Sequence, residues 1–130
     1  MTVTGKKYIA VIDVSPVIQR VISMTLRNAG YAVETFDNIK SAQQAFVVVH
    51  PDVVISEYNM PDGDGLELCQ AMRNIPELSE IPVIIVTAHE HQVDMRALQA
   101  VGVRTVLGKP FSPRQLVAEV QSLLDAVIVS

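Results

Sequence analysis

Apolar residues along the chain follow two alternating rhythms. Short runs rich in Val and Ile give way to longer stretches whose apolar residues recur every three or four positions, and the alternation repeats five times. The first run, Tyr8–Ile12, predicts a strand that stops at Asp13. Ser15-Pro16 then supplies a capping hydroxyl and a proline at the first helical position. Val17, Val21 and Met24, with Ile18 and Ile22, recur at helical spacing, and Asn28-Ala29-Gly30 marks the end of that helix. A second strand is predicted over Ala32–Phe36, then a helix carrying Ile39, Ala42, Ala45, Phe46 and Val49 that stops before Pro51. Val53–Ser56 predicts the third strand, ending at Glu57. A loop with Pro61, Gly63 and Gly65 leads into a third helix with Leu66, Leu68, Cys69 and Met72. Pro82 opens a fourth strand over Val83–Val86, ending at Thr87, and Val93, Ala97 and Leu98 belong to a fourth helix closed by Gly102. The fifth strand is Arg104–Leu107. After Lys109-Pro110-Phe111, Ser112-Pro113 starts a last helix presenting Leu116, Val117, Val120, Leu123, Leu124 and Val127.

Strict alternation of strands and helices implies parallel strands joined by right-handed crossovers. Nearly continuous Val/Ile runs mean that the central strands are covered on both faces. Five such units are too few for a closed eight-stranded barrel, so the fold class is α/β with an open, doubly wound parallel sheet. In such sheets the ligand site lies beyond the carboxyl ends of the strands. Those ends carry Asp13, Glu57 and Thr87, with Lys109 just past strand five. Two acids, a hydroxyl and an ammonium at one edge suit a hard cation and a phosphoryl group. Carboxylate oxygens hold the metal, while the hydroxyl and ammonium bind phosphate oxygens.

The same residues carry a family resemblance. Glu57-Tyr-Asn-Met-Pro-Asp-Gly-Asp-Gly65, Val86-Thr-Ala88 and Gly108-Lys-Pro-Phe111 resemble the receiver domain of bacterial two-component response regulators, from Tyr8 to about Asp125. The resemblance implies a flavodoxin-like (βα)5 fold with strand order 2-1-3-4-5 and a cis bond at Lys109-Pro110, an isomer that only X–Pro bonds adopt readily. It also implies a signalling role: a histidine kinase donates phosphate to an aspartate ending strand three, two acids after strand one help hold Mg²⁺, and a hydroxyl and a lysine bind the new phosphoryl group. An aromatic residue in strand five then turns inward, and the face of helix four, strand five and helix five changes shape.

Asp13, Thr87 and Lys109 match that pattern, but three positions depart from it. The phospho-acceptor position holds Glu57, whose extra methylene carries the carboxylate roughly 1.5 Å further and spoils in-line transfer. Ile12 replaces the first acid of the metal pair, so Mg²⁺ bound through Asp13, Glu57 and Asn59 should be weak or absent. Val106 stands at the aromatic switch position. These departures predict a degenerate receiver held by an ion pair between Glu57 and Lys109 with Asp13 nearby, needing no cofactor and acting through protein contacts rather than as an enzyme. The reach of Glu57 partly imitates an acyl phosphate, with one charge where phosphate carries about −1.5 to −2. The implied partners are a histidine kinase or an output domain. The implied contact face comprises Met95, Gln99, Arg104, Val106, Glu119 and Ser122, with an exposed Val106 adding apolar area for a possible homodimer. The alternative is a working receiver that takes a phosphoryl group in the presence of Mg²⁺. A flavin-type cofactor binder is a third class, but Asp13-Val-Ser-Pro16 lacks a phosphate cradle.

Composition narrows the setting. The 130 residues predict one domain over 1–130, which the resemblance allows to be part of a longer multidomain protein, with about two thirds of the unfolded surface buried. Hydrophobic residues make up 49% and charged residues 18%, which excludes intrinsic disorder. Ten basic against fourteen acidic residues leave a charge of −4 with no basic block, which argues against nucleic-acid binding by this domain. One cysteine, Cys69, excludes an internal disulfide framework and reads as a buried small hydrophobe. No apolar run nears the roughly 20 residues of a membrane helix, and Tyr8–Ile12 is too short for a signal-peptide core, so a cytoplasmic location is expected. His89-Glu90-His91 puts two histidines on different helix faces without a third ligand, so no metal is expected there. Asp62 and Asp64 read as turn formers.

Overall fold

A computed structural model describes residues 5–129, with side chains as far as Asp125. Five strands, β1 (Tyr8–Ile12), β2 (Ala32–Phe36), β3 (Val53–Glu57), β4 (Val83–Thr87) and β5 (Thr105–Gly108), form one sheet in the order β2-β1-β3-β4-β5. Every neighbouring pair is parallel, with Ile9 opposite Val33 and Val53, and Ile55 opposite Ile84. Between them run α1 (Pro16–Asn28), α2 (Ile39–Val48), α3 (Gly65–Arg73) and α4 (Met95–Ala100), and α5 (Pro113–Val129) follows β5. The α/β class, the flavodoxin-like topology and the strand order are those expected, and the Lys109-Pro110 bond is cis.

Side chains alternate across a strand, so each apolar run feeds two cores. Ala10, Ile12, Val54 and Ile85 pack with Phe46 of α2, Leu68 and Met72 of α3 and Leu98 of α4. Ile9, Val11, Ile55, Ile84 and Val86 pack on the other side with Ile22 and Leu26 of α1 and Leu116 and Val120 of α5. Cys69 is buried in the first of these cores, and burial pushes its thiol up to about 11. Fully burying one such aliphatic side chain contributes about 1.5–3 kcal/mol. The two filled layers therefore fix the sheet on which the site stands.

Helix starts follow the capping residues. The Ser15 hydroxyl accepts from the Ile18 N–H at 3.3 Å, Asn38 from Ser41 at 2.8 Å, and Asp94 from Ala97 at 3.1 Å. Asp64 and Glu67 form a reciprocal capping box at the start of α3. The Asp94 cap also explains why α4 is short. Val93, assigned to that helix by its spacing, lies ahead of the cap, and Glu90–Gln92 form a separate 3-10 turn. Strand five starts one residue later than expected, at Thr105.

Helix α1 separates two sets of residues that periodicity had merged. Ile22 is buried and Ile18 packs against the core, whereas Val17, Val21 and Met24 face solvent. Val127, expected on the last helix, lies beyond the residues whose side chains are described.

At the amino-terminal edge of the sheet, Arg73 ends α3 and gathers carbonyls from two segments, residues 78–81 and the end of α4. Its guanidinium donates to Val101 (2.7 Å), Ile81 (2.9 Å), Ser79 (3.0 Å) and Leu78 (3.3 Å). Gly102 lies against it with φ +86°, and a Cβ there would stand 3.1 Å from the guanidinium as well as straining the backbone.

Candidate functional site

The carboxyl ends of β1, β3 and β4 bring Asp13, Glu57 and Thr87 to one edge, and the segment after β5 adds Lys109. Backbone bonds fix the frame: the Asp13 N–H donates to the Phe36 carbonyl at 3.0 Å, and the Lys109 N–H to the Thr87 carbonyl at 2.9 Å. The Gln19 side-chain amide also donates to the Asp13 carbonyl.

Lys109 reaches back between the two acids. Its Nζ lies 2.7 Å from Asp13 Oδ2 and 2.8 Å from Glu57 Oε1. The remaining carboxylate oxygens have main-chain donors: Ser15 N–H to Asp13 Oδ1 at 2.9 Å, and Asn59 N–H to Glu57 Oε2 at 3.1 Å. All four oxygens are therefore partnered. The Thr87 hydroxyl accepts from the His89 N–H at 3.2 Å. Asp13 is 2% exposed, whereas Lys109 and Glu57 are only partly buried.

The electrostatics follow from these contacts. Partial burial pushes the Glu57 carboxyl up. Hydrogen bonds from Lys109, the Asn59 N–H and Thr87, together with the charge of the ammonium, outweigh it and hold the carboxyl below its ordinary range. Burial likewise pulls Lys109 down, and its bonds to Asp13 and Glu57 outweigh that and raise it. The cluster is charged and internally neutralised to within one negative charge.

The expected pocket residues are thus brought together, with differences in how they act. Asp13 both receives Lys109 and accepts from Ser15, two roles that the sequence left as alternatives. Asn59 contributes its main-chain N–H, while its side chain is exposed. Ile12 is fully buried in the core on the α2–α3 side and offers the pocket no oxygen. The donors expected for a metal are the carboxylates of Asp13 and Glu57 and groups of Asn59. The ammonium already sits between the two carboxylates, so this donor set does not fit a divalent cation well. Among the described residues no group of three or more His, Cys, Asp or Glu side chains could hold a metal ion.

Sequence reasoning missed Asp62. Its carboxylate accepts from the Ile39 and Lys40 N–H groups, both at 2.9 Å, and so ties the segment after Glu57 to the start of α2. Asp62 stands between the two halves of a two-residue ribbon, Asn59–Met60 against Gly63–Asp64. An acid in a Gly-rich loop gave a turn signal, and its helix partner is 23 residues away.

On the expected contact face, Met95, Gln99, Arg104 and Ser122 are exposed. Val106 corrects an expectation. It is half-buried and packs against the α4-side core, so it adds little apolar surface. Glu119 is also half-buried and accepts from the Thr105 hydroxyl at 3.0 Å.

Comparison with known proteins bears on the family and the fold. Residues 9–121 match the family described as the response regulator receiver domain. The chain is 31% identical over 120 residues to the phosphate regulon transcriptional regulatory protein PhoB of Pseudomonas aeruginosa, covering 92% of this chain and 52% of that protein. It is 31% identical over 124 residues to the transcriptional regulatory protein GltR of the same organism, covering 95% and 51%. It therefore spans about half the length of these curated relatives. Among solved structures, the chemotaxis response regulator CheY4 of Vibrio cholerae superposes with a TM-score of 0.83 at 31% identity, covering 92% of this chain and 99% of that one. The signal receiver domain of a histidine kinase from Syntrophus aciditrophicus gives 0.81 at 29% identity, covering 93% and 92%. The chain belongs to the response regulator receiver domain family.

Proposed function

We propose that this receiver works as a non-phosphorylated interaction module of a two-component or related phosphorelay pathway, with its pocket held in one arrangement by its own side chains. The supporting observation is that every carboxylate oxygen of Asp13 and Glu57 already has a donor, two of them from a single ammonium. To accept a phosphoryl group, Glu57 would have to give up its Lys109 contact and attack the donor's phosphorus, displacing the donor's leaving group, from a carboxylate set too far forward by one methylene. A hundredfold loss is the usual scale for a misplacement of about 1 Å in a reaction of this kind. Mg²⁺ would compete with the ammonium for the same two oxygens, without an acid at position 12 to help it. Lys109, one of the two groups that bind the phosphoryl oxygens in this family, is already on Glu57. The module then acts on a histidine kinase or an output domain through α4, β5 and α5, with the exposed Met95, Gln99, Arg104 and Ser122 as contact residues.

The test is incubation with a small acyl phosphate and Mg²⁺, read by intact mass. No gain is expected, and stoichiometric addition of one phosphoryl group overturns the reading in favour of a working phospho-acceptor. The double change Ile12→Asp with Glu57→Asp restores the missing acid and shortens the other. It should yield Mg²⁺ binding by titration calorimetry where the unchanged chain shows little heat.

A further inference from the structure

A cavity of about 240 Å³ opens at the amino-terminal edge of the sheet, beside the segments that lead into β3 and β4. Pro51, Pro76, Ile81 and Pro82 give it apolar walls, and Asp52, Glu77 and Glu80 add three carboxylates. Asp52 is half-buried, while Glu77 and Glu80 stand on the exposed rim. No cationic side chain lines the cavity, and the salt bridges among the described residues stand at the opposite edge, on Lys109.

The walls are fixed before anything enters. On one side the Asp52 N–H donates to the Tyr8 carbonyl and the Tyr8 N–H donates to Asp52 Oδ2, each at 2.7 Å. Asp52 Oδ1 accepts no hydrogen bond among the described residues and stays available. On the other side Arg73 holds the Leu78, Ser79 and Ile81 carbonyls, and the Ser79 hydroxyl donates to the Pro76 carbonyl at 2.9 Å. The Val54 N–H joins the two sides through the Pro82 carbonyl at 3.0 Å. Proline has a fixed φ, so walls carrying three of them lose little freedom when a ligand enters.

The lining selects the occupant. Pockets for organic ligands run to roughly 300–1,000 Å³, so this one suits a single side chain. A divalent cation would need oxygen ligands around it, which proline rings and Ile81 do not supply. Among the described residues no group of three or more acids, His or Cys could hold a metal ion. A long cationic side chain uses both kinds of surface, with its methylene stem on the apolar walls and its head at the carboxylates. A guanidinium suits this rim better than an ammonium, being planar, more weakly hydrated and able to meet a carboxylate through two parallel hydrogen bonds.

We propose that this cavity seats an arginine side chain of a partner protein, with the guanidinium among Asp52, Glu77 and Glu80 and the stem against the prolines. The site lies at the end of the sheet opposite Asp13, Glu57 and Lys109, so it holds whether or not Glu57 accepts a phosphoryl group. Ion pairs at an exposed rim contribute little, so one arginine anchors a larger contact and binds weakly when isolated.

The probe is N-acetyl-arginine methylamide, titrated into the isotope-labelled chain and followed through its amide shifts. Saturable shifts should appear at Asp52, Glu77, Glu80 and Ile81 and not at Asp13, Glu57 or Lys109. The neutral citrulline counterpart should not bind, and the lysine counterpart should bind more weakly. Free arginine should also bind more weakly, because its own carboxylate would face the acidic rim, whereas a residue within a chain has none. Glu77→Gln, and independently Glu80→Gln, should weaken binding at least threefold with unchanged circular dichroism. Asp37→Asn removes the same charge at the other edge of the sheet and should leave binding intact. Shifts that stay absent or spread over the acidic surface overturn the proposal, as does equal weakening by Asp37→Asn. A citrulline or lysine probe that binds as well overturns the choice of a guanidinium, and tighter binding of free arginine overturns the choice of a protein partner.

Discussion

One cation stands at each end of the sheet, and the two are held by different chemistry. At the amino-terminal edge Arg73 is gripped by four neutral carbonyls from two segments. At the carboxyl-terminal edge Lys109 is gripped by two carboxylates. A guanidinium on carbonyls has nothing to titrate near neutrality, and its planar fork matches several acceptors at once. An ammonium between carboxylates depends on the protonation of all three groups, and any cation able to reach those oxygens competes with it. The fold has thus made one end fixed and left the other adjustable in charge. The adjustable end holds the candidate site, where Lys109 pairs with both Asp13 and Glu57.

Removing the adjustable cation should have the largest effect. Lys109→Met leaves Asp13, almost fully buried, and Glu57 facing each other without a positive charge. Breaking such a pair costs about 3 kcal/mol, which urea unfolding at neutral pH would register. The deficit should shrink in acid. In the unchanged chain the Glu57 carboxyl is held below its ordinary value of 4.5, so its contribution is present above that value and is lost as pH falls through the lowered one. The variant has no such contribution to lose, and its paired carboxylates are relieved by taking up a proton. On the alkaline side Lys109 is raised above 10.5, so its contribution is present below that value and is lost only as pH rises through the raised one. A deficit that stayed constant into acid would show that the carboxylates do not depend on the ammonium.

The fixed end should respond less and without pH dependence. Arg73→Lys keeps the charge but cannot span four acceptors, so about 2 kcal/mol should be lost equally in mildly acid and mildly alkaline buffer. A loss that varied with pH would mean that a titratable group shares the clamp, and the contrast between the ends would fail.

The two ends also differed in how far the sequence revealed them. Asp13, Glu57, Thr87 and Lys109 were legible because each sits where a Val/Ile run stops, and parallel strands bring those stops together. Arg73 was not, because its acceptors are main-chain carbonyls spread over residues 78–101, and a carbonyl leaves no mark in the sequence. The outer row of α1 was hidden for another reason. Val17 and Ile18 are equally apolar neighbours, and spacing shows that there are stripes without showing which one faces the sheet. Val106 was misjudged because a strand residue near the sheet edge can still be covered, here by the α4-side core.

Asp62 offers the finest probe of the contrast, because it touches the adjustable end without belonging to the charge cluster. Its carboxylate is held below its ordinary 3.8 by the Ile39 and Lys40 N–H groups, so that contribution is present above 3.8 and is lost as pH falls through the lowered value. Asp62→Ala should cost less than either cation change, since Asn38 still caps α2 through Ser41. Its signature is local. The ribbon that begins at Asn59 loses its tie to α2, and Asn59 supplies the N–H on Glu57 Oε2. Hydrogen exchange at the Asn59 amide should therefore quicken while the amides of β1 and β4 remain protected. If Asn59 exchanges no faster, the tie to α2 does not support the pocket, and the charges of Lys109, Asp13 and Glu57 hold that end of the sheet without it.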